Sequence, residues 1–184
     1  MTSERYRIVN DAHVYFVTYS IVEWLPVFVA DEPCRVVTDS LTYCRQEKHL
    51  AVNSYVIMPT HMHAIVFDQE FDNDRLLATL KDFRKFTGRA LTDYCSERRS
   101  PVFRETLTRA ATQDRKRRFW QPSRHAEAIL SANFWEQKLD YIHDNPCRKG
   151  LVFRPEHWRF SSAAFYLSDG EATFDVGIDP LDWT

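Results

Sequence analysis

Apolar residues alternate with polar ones, or run together with β-branched and aromatic neighbours, in several short stretches of the chain. This pattern is typical of strands. Three such stretches span residues 12–22, 50–58 and 61–67. Only Pro59 and Thr60 separate the second from the third, which predicts a hairpin because proline cannot donate to a ladder in mid-strand. A fourth strand is expected at residues 117–121, in the sequence RRFWQ.

Between these strands, apolar residues recur at the three- and four-residue spacing of a helix. Three helices are predicted, over residues 32–49, 72–97 and 131–145. The second is expected to begin at a cap formed by Asp72 or Asn73. The third is expected to end at the step from Asn145 to Pro146, because a residue before proline avoids helical geometry. Residues 97–115 are expected to form a loop, and the order βαββαβα predicts an α+β sandwich.

The length and composition predict one soluble domain with a sizeable core. The chain has 184 residues, of which 44% are hydrophobic, and no apolar run reaches the roughly 18 residues that a membrane-spanning helix needs. We expect a single domain over residues 1–184, with a core at about 8–149 and a packed tail at about 150–184. The cysteines are far apart and form no CxxC pair, which favours a reducing cytosol over a disulfide framework or a zinc ribbon. They are Cys34, Cys44, Cys95 and Cys147.

Positive charge is concentrated in the middle of the chain. Residues 75–125 contain 14 of the 24 lysines and arginines but only 5 of the 26 acidic residues, a local charge of +9, while the remainder carries −11. Within this segment a basic run at residues 115–118 precedes Phe119 and Trp120. Such a mixture suits phosphates and stacked bases. The alternatives are a solvated loop and, for the two aromatic residues, a place in the core.

Two histidines lie one residue apart at the start of the third predicted strand, in the sequence NSYVIMPTHMHAIVFD. Because residues two apart on a strand project from the same face, His61 and His63 are expected to point together. Neutral imidazoles at this spacing can share a divalent metal ion. The alternative is a pair of histidines that form hydrogen bonds at the end of a sheet.

A second polar group lies on the third predicted helix, in the sequence FWEQKLDYIHDNPCRKGLV. Tyr141 and Asn145 are four residues apart and therefore share one helix face, whereas His143 lies about 200° round the axis from Tyr141. One hydroxyl and one amide are thereby directed to the same side of this helix.

At these motifs the sequence resembles the single-tyrosine HUH transposases, in particular the REP-associated tyrosine transposases. YVIMPTHMH resembles the MPNHxH hairpin of that family, and YIHDNPCRKGLV resembles its YIxxNPxxxGLV helix end. PEHWRFSSAAFY, at residues 155–166, is similar to its Pxx(Y/W)xxSSxxxY tail. The three motifs occur in the family's order. Thr60 stands where the family usually has asparagine, which is expected to change the hairpin turn but not the direction of the histidines.

The resemblance implies a ferredoxin-like βαββαβ core with the histidine strand near the middle of the sheet. It also implies that Tyr141 attacks a phosphodiester of single-stranded DNA, giving a 5′-phosphotyrosine bond and a free 3′-hydroxyl. His61 and His63 would hold a divalent metal, Mg²⁺ or Mn²⁺, that polarises the phosphate. Asn145 stands where the family places a third metal ligand, but before Pro146 it is equally suited to serving the helix end.

The family recognises imperfect DNA hairpins with a single-stranded flank, so the implied partner is hairpin DNA, bound by a monomer or a homodimer in the cytoplasm at the nucleoid. Basic residues of the second helix, the basic run and the end of the third helix are expected to contact its phosphates. They are Lys81, Arg84, Lys85, Arg89, Arg115, Lys116, Arg117, Arg118, Arg148 and Lys149.

Metal-dependent cleavage and rejoining of hairpin DNA through Tyr141 is the favoured function. One alternative is a domesticated hairpin-binding module without turnover. The other is an unrelated hydrolase in which a metal held by the histidine pair activates water, so that Tyr141 is not needed.

Overall fold

The fold is built on a four-stranded antiparallel sheet. The computed structural model describes residues 12–111, 118–122, 125–168 and 175–182. The strands are β1 (Val14–Ser20), β2 (Leu50–Met58), β3 (His61–Asp68) and β4 (His125–Ile129), and their order across the sheet is β2-β3-β1-β4. The hairpin across Pro59 and Thr60 is confirmed, and the histidine strand β3 lies in the interior of the sheet.

Five helices are found in the described part of the chain. They are α1 (Asp31–Glu47), α2 (Asn73–Arg98), α3 (Pro101–Arg109), α4 (Ala132–Arg148) and α5 (Ala163–Leu167). The side chain of Asp72 accepts a hydrogen bond from the Arg75 amide and so caps α2, as predicted. The order of strands and helices confirms the predicted α+β class. None of these helices is long and apolar enough to cross a membrane.

The pleat of the sheet sends alternate residues of β3 into two separate cores. Met62 and Val66 join the larger cluster of buried residues, which includes Leu80 of α2 and residues of α1. Ile65 joins the smaller cluster on the other face, which includes Ile142 of α4. The odd-numbered residues of β3, including both histidines, therefore lie on the face that α4 covers.

The predicted fourth strand at 117–121 is wrong. Within the described residues of this segment, Trp120 forms only an isolated bridge to Ile21, and the strand that pairs with β1 lies further on, at β4. Phe119 and Trp120 are both buried in the larger cluster, where the Trp120 indole donates a hydrogen bond to Thr87. Their place in the core is thereby confirmed. The segment has the apolar composition of a strand because Phe119 and Trp120 are both buried, although its backbone is irregular.

Two expected boundaries also differ from the structure. The expected loop at 97–115 contains α3, which has Pro101 in its first turn, a position that a helix tolerates. The helix that carries the tyrosine does not end at Pro146 but continues to Arg148. Pro146 is buried within the helix, so packing offsets the missing backbone donor, and the carbonyl of Asn145 still accepts from the Lys149 amide.

The tail runs along the free edge of β2. The Ile57 amide donates to the Phe160 carbonyl at 2.8 Å, and the Ser162 amide donates to Tyr55 at 2.9 Å. Further on, the Asp179 amide donates to a β2 carbonyl at 2.8 Å. These bonds join the described part of the tail to β2 and cover backbone groups that an edge strand would otherwise expose.

The Asp179 side chain attaches the tail to both α1 and β2. Its carboxylate accepts two hydrogen bonds from the Arg45 guanidinium, both at 2.8 Å, and a third from the Val52 amide at 3.0 Å. We expect Asp179→Ala to lower the free energy of unfolding by about 1–3 kcal/mol, because it leaves these donors unpaired. Urea denaturation checks this against Glu47→Ala, an exposed acid of α1. An equal, small effect of the two substitutions would contradict it.

Candidate active site

Two sequence motifs that are far apart in the chain meet on the face of the sheet that α4 covers. The ring centres of His61 and His63 are 4.8 Å apart, as the strand spacing predicts. The ring of Tyr141, on α4, lies 5.2 Å from that of His63. Phe16 of β1 stacks on His63 at 5.2 Å and meets Tyr141 edge-on at 6.0 Å. The histidine pair and the tyrosine therefore form one cluster.

Threonine hydroxyls hold both imidazoles through the same ring nitrogen. Nδ1 of His63 lies 2.8 Å from the Thr18 hydroxyl, on the residue opposite it in β1. Nδ1 of His61 lies 3.0 Å from the hydroxyl of Thr60, the residue that departs from the family pattern. Because Nδ1 of each ring lies at a hydroxyl, Nε2 is the nitrogen left for another partner, and the buried Nε2 of His63 has no hydrogen-bond partner among the described residues.

Burial keeps both imidazoles neutral over the physiological range. It lowers the pKa of His61 to about 4, with a smaller effect from the positive charge of Lys149. It lowers the pKa of His63 to about 3, with further contributions from His61 and Lys138. A neutral imidazole is the form that binds a metal ion.

The donors around the histidine pair fit a cation that accepts neutral oxygen ligands. Among the described residues, no group of three or more histidine, cysteine, aspartate or glutamate side chains could hold a metal. Asn145 lies one turn after Tyr141 and is only 4% exposed. Asn145 is not the last residue of α4, which continues to Arg148, although its carbonyl accepts the hydrogen bond from the capping amide of Lys149. An amide oxygen and an unpartnered imidazole nitrogen, as on His63, are both donors that Mg²⁺ or Mn²⁺ accepts.

Tyr141 is open to a substrate. Its side chain is 37% exposed, although neighbouring Ile142 is fully buried. The guanidinium of Arg148 lies 5.7 Å from the centre of the tyrosine ring, so two predicted residues meet here. His143 points away from them, with Nε2 2.9 Å from the Ser162 hydroxyl of the tail, which confirms the predicted difference in helix face.

An ion pair beside the cluster escaped the sequence analysis. Nζ of Lys138 lies 2.6 Å from a carboxylate oxygen of Glu127, and both side chains are largely buried. The ammonium also lies 4.4 Å from the ring centre of Phe16 and 5.0 Å from that of Phe134. Lys138 precedes Tyr141 by three residues, a helical spacing that could have revealed it. Glu127 lies on the strand whose position was predicted wrongly.

The predicted DNA-binding residues that the structure describes lie on both faces of the sheet. Arg148 lies against Tyr141, and Lys149 is close enough to His61 to affect its pKa. The basic residues of α2 belong to a helix on the opposite face of the sheet. Three are exposed: Lys81, Lys85 and Arg89.

The other predicted basic residues are either engaged within the protein or outside the described part. Arg84 donates to the Gln121 carbonyl at 2.6 Å and lies 5.5 Å from the ring centre of Tyr19. Arg118 is half-buried. Arg115, Lys116 and Arg117 lie outside the described residues. A continuous basic surface through the middle of the chain is therefore not seen in the described residues.

The fold and the cluster define an α+β sandwich with a histidine pair facing a tyrosine helix, and known proteins share its fold. No protein-family model matches the chain. The REP-associated tyrosine transposase of Escherichia coli (strain K12) is 24% identical over 139 residues. That match covers 76% of this chain and 66% of the relative, so the chain spans just under two thirds of its length.

A solved structure shows the same fold. It is the structure of a REP-associated tyrosine transposase bound to a REP hairpin, with a TM-score of 0.66 and 19% identity. The match covers 100% of this chain and 96% of the other. The resemblance predicted from the motifs is thus confirmed in sequence and in fold: the chain is similar to the REP-associated tyrosine transposases.

Acid should destabilise the protein through its buried imidazoles. The unfolded chain binds protons below a pKa of about 6.5, whereas folded His63 stays neutral down to about 3. The stability that comes from keeping this imidazole neutral is therefore fully present above pH 6.5 and is lost as the pH falls below it. In His63→Gln, we expect the loss between pH 7 and pH 5 to be about 2 kcal/mol smaller. Urea denaturation at each pH measures this.

A second variant checks the same cause at another place. His143 is also buried, and its pKa is lowered to about 4, so His143→Gln should flatten the pH dependence in the same direction. Parallel stability curves for the wild type and both variants would show that these imidazoles are protonated as easily in the folded protein as in the unfolded chain.

The Lys138–Glu127 pair should stabilise the fold only as a pair. Lys138→Met removes the ammonium beside the Glu127 carboxylate, and we expect it to lower the free energy of unfolding by about 3–5 kcal/mol. The double variant with Glu127→Gln should recover part of this loss, because the carboxylate charge that Lys138 neutralised is removed as well. Urea denaturation of the single and double variants gives the coupling. Additive losses would contradict a direct pairing.

Proposed function

We propose that the protein is a metal-dependent single-stranded DNA endonuclease and strand transferase that acts on hairpin DNA through Tyr141. The observation that carries this proposal is the 5.2 Å separation between the rings of Tyr141 and His63, on two elements that face one another. A nucleophile and a pair of metal-binding imidazoles are thereby available to the same phosphate. The similarity to REP-associated tyrosine transposases supports the same activity.

The reaction exchanges one phosphodiester for another. The phenol of Tyr141 loses its proton and its oxygen bonds to the phosphorus while the bond from phosphorus to the 3′-oxygen breaks. The products are a 5′-phosphotyrosine and a 3′-hydroxyl, whose oxygen takes up a proton in exchange. Attack by a 3′-hydroxyl on the phosphotyrosine reverses the exchange. Because the phosphodiester bond energy is conserved in the protein–DNA bond, rejoining consumes no nucleotide.

The residues around Tyr141 have distinct tasks in this scheme. The exposure of Tyr141 admits the scissile phosphate, and Arg148 and Lys149 supply positive charge for its oxygens. His61 and His63, with the amide of Asn145, are the residues that would hold Mg²⁺ or Mn²⁺. When bound, that ion supplies Lewis acidity to the non-bridging oxygens. Thr18 and Thr60 set which imidazole nitrogen is free for it.

Hairpin DNA is the proposed substrate. The solved structural neighbour is bound to a REP hairpin, and the motifs of this chain resemble those of the family that recognises such DNA. The basic residues at the end of α4 would hold the single-stranded flank near Tyr141. The exposed basic residues of α2, on the other side of the sheet, would contact more distant phosphates.

A hairpin-binding module without turnover is the second candidate. The amide at position 145 belongs to an asparagine, one methylene shorter than the glutamine common in one branch of the family. The described part of the chain contains no cluster of three acidic, histidine or cysteine ligands that would compensate for a weaker third donor. A protein that binds the hairpin but holds the metal weakly would act in this way.

A covalent adduct distinguishes the candidates. Mixing the protein with single-stranded hairpin oligonucleotides and Mn²⁺ should yield a protein–DNA adduct that is visible as a mass shift. Tyr141→Phe should abolish the adduct while retaining DNA binding, because the phenolic oxygen is the attacking atom. Tyr43→Phe is the matched control, since Tyr43 is also exposed but belongs to α1 on the opposite face. A chelator should also prevent adduct formation.

Other outcomes identify the alternatives. Tight binding of the hairpin with no adduct at any Mn²⁺ or Mg²⁺ concentration would favour the binding module. Cleavage that persists in Tyr141→Phe would favour hydrolysis by metal-activated water.

A further inference from the structure

A strained turn follows β1 at the rim of the candidate active site. Residues Val22–Trp24 form a single 3-10 turn, in which Glu23 and Trp24 have φ angles of 51° and 52°. This left-handed region is unfavourable for residues with a side chain, and two successive non-glycine residues occupy it here. Backbone strain of this kind persists only where surrounding contacts enforce it, and it clusters at functional sites.

Backbone hydrogen bonds to the β2–β3 hairpin, to Phe119 and within the turn itself hold this conformation. The Ile21 amide donates to the Thr60 carbonyl at 3.0 Å, and the Val22 amide donates to the Phe119 carbonyl at 2.9 Å. The Trp24 amide donates back to the Ile21 carbonyl at 3.1 Å. Thr60 is the residue before His61, so the position of Trp24 is coupled to that of the histidine pair.

The turn holds a large aromatic side chain that the core does not use. Trp24 is 56% exposed, whereas Trp120 is 5% exposed. The indole ring meets the His61 imidazole at 6.0 Å between ring centres, with an interplanar angle of 82°. From Trp24, ring contacts continue through His61 and His63 to Tyr141. An exposed tryptophan therefore lies on the side of the pair next to His61, and the nucleophile on the side next to His63.

We infer that Trp24 is a nucleobase-binding site, on which a base of the single-stranded flank stacks while its neighbouring phosphate lies at His61 and His63. The inference rests on the proposed function, since it needs a DNA strand across the histidine pair. Bases of single-stranded nucleic acid stack on exposed aromatic side chains, and every base offers a π face. Trp24 thus fixes the position of the DNA strand relative to Tyr141. The affinity depends on whether a base is present at this position more than on which base it is.

Binding measurements on Trp24 variants test the inference. The probe is a DNA hairpin with single-stranded flanks, selected from a pool with randomised flanks on Tyr141→Phe protein, in which the DNA stays uncut. In that background, Trp24→Ala should weaken binding about 5- to 100-fold, and Trp24→Phe should retain most of the affinity. Tyr43→Ala is the control, because Tyr43 is also 56% exposed but lies on α1. Thermal unfolding checks that each variant is folded.

Removal of single bases from the probe locates the contact. One abasic position in the flank should weaken binding to protein that keeps Trp24 by the same factor as Trp24→Ala does. That abasic position should have no further effect on Trp24→Ala protein, since the same stacking contact is already lost. Two results would overturn the inference. One is folded Trp24→Ala protein that binds as tightly as the control. The other is Trp24→Ala protein that each abasic position weakens by the same factor as it weakens protein that keeps Trp24.

The outcomes separate this inference from the proposed function. A Tyr141-dependent adduct without any effect of Trp24 would reject the stacking site alone. Selection of DNA that shows the Trp24 effect, without an adduct from protein that retains Tyr141, would support the stacking site and reject the transferase. Failure to select any DNA would reject both.

Discussion

The burial of β3 on both faces and along both edges is the constraint on which the candidate site depends. Every residue of this strand after His61 is buried, and it pairs with β2 on one side and β1 on the other. A shift of register by one residue would move Met62 and Val66 out of the larger core. It would also turn both histidines to the face of the sheet that α1 and α2 cover. The apolar residues of the strand thus determine where its two polar residues point.

Several polar groups on this apolar face have partners on neighbouring strands or on α4. Thr18 supplies a hydroxyl to His63 from the opposite position of β1, and Lys138 and Glu127 neutralise each other beside Phe16. Nε2 of His63 is an exception among the described residues, since it is buried and has no partner. Such an exception costs stability and is typical of a site built for a ligand.

One turn of α4 connects the site, the core and the tail. Tyr141 reaches the histidine pair, Ile142 is buried against the sheet, and His143 bonds to Ser162 of the tail. The tail in turn pairs with β2, the strand that forms a hairpin with β3. The position of the tyrosine is therefore determined by packing on one side of the helix and by hydrogen bonds on the other.

The sequence by itself determined the elements whose signals are local. The periods of a strand and a helix predict β1 to β3 and the helices α1, α2 and α4. They also predict that His61 and His63 point the same way and that Tyr141 and His143 point to different sides of α4. Two of the three family motifs fall in these same elements, at the β2–β3 hairpin and on α4, so the resemblance predicted both the class of fold and the residues that meet at the cluster.

Only the tertiary structure decided which distant segments come together. Phe119 and Trp120 have strand-like composition because they are buried, yet the strand beside β1 is the less apolar β4. Packing carries α4 through Pro146, and it places the basic residues of α2 away from Tyr141. The pairing of Lys138 with Glu127 and the approach of Trp24 to His61 join separate elements. Local periodicity carries no information on such contacts, because their energy arises between segments that are remote in the chain.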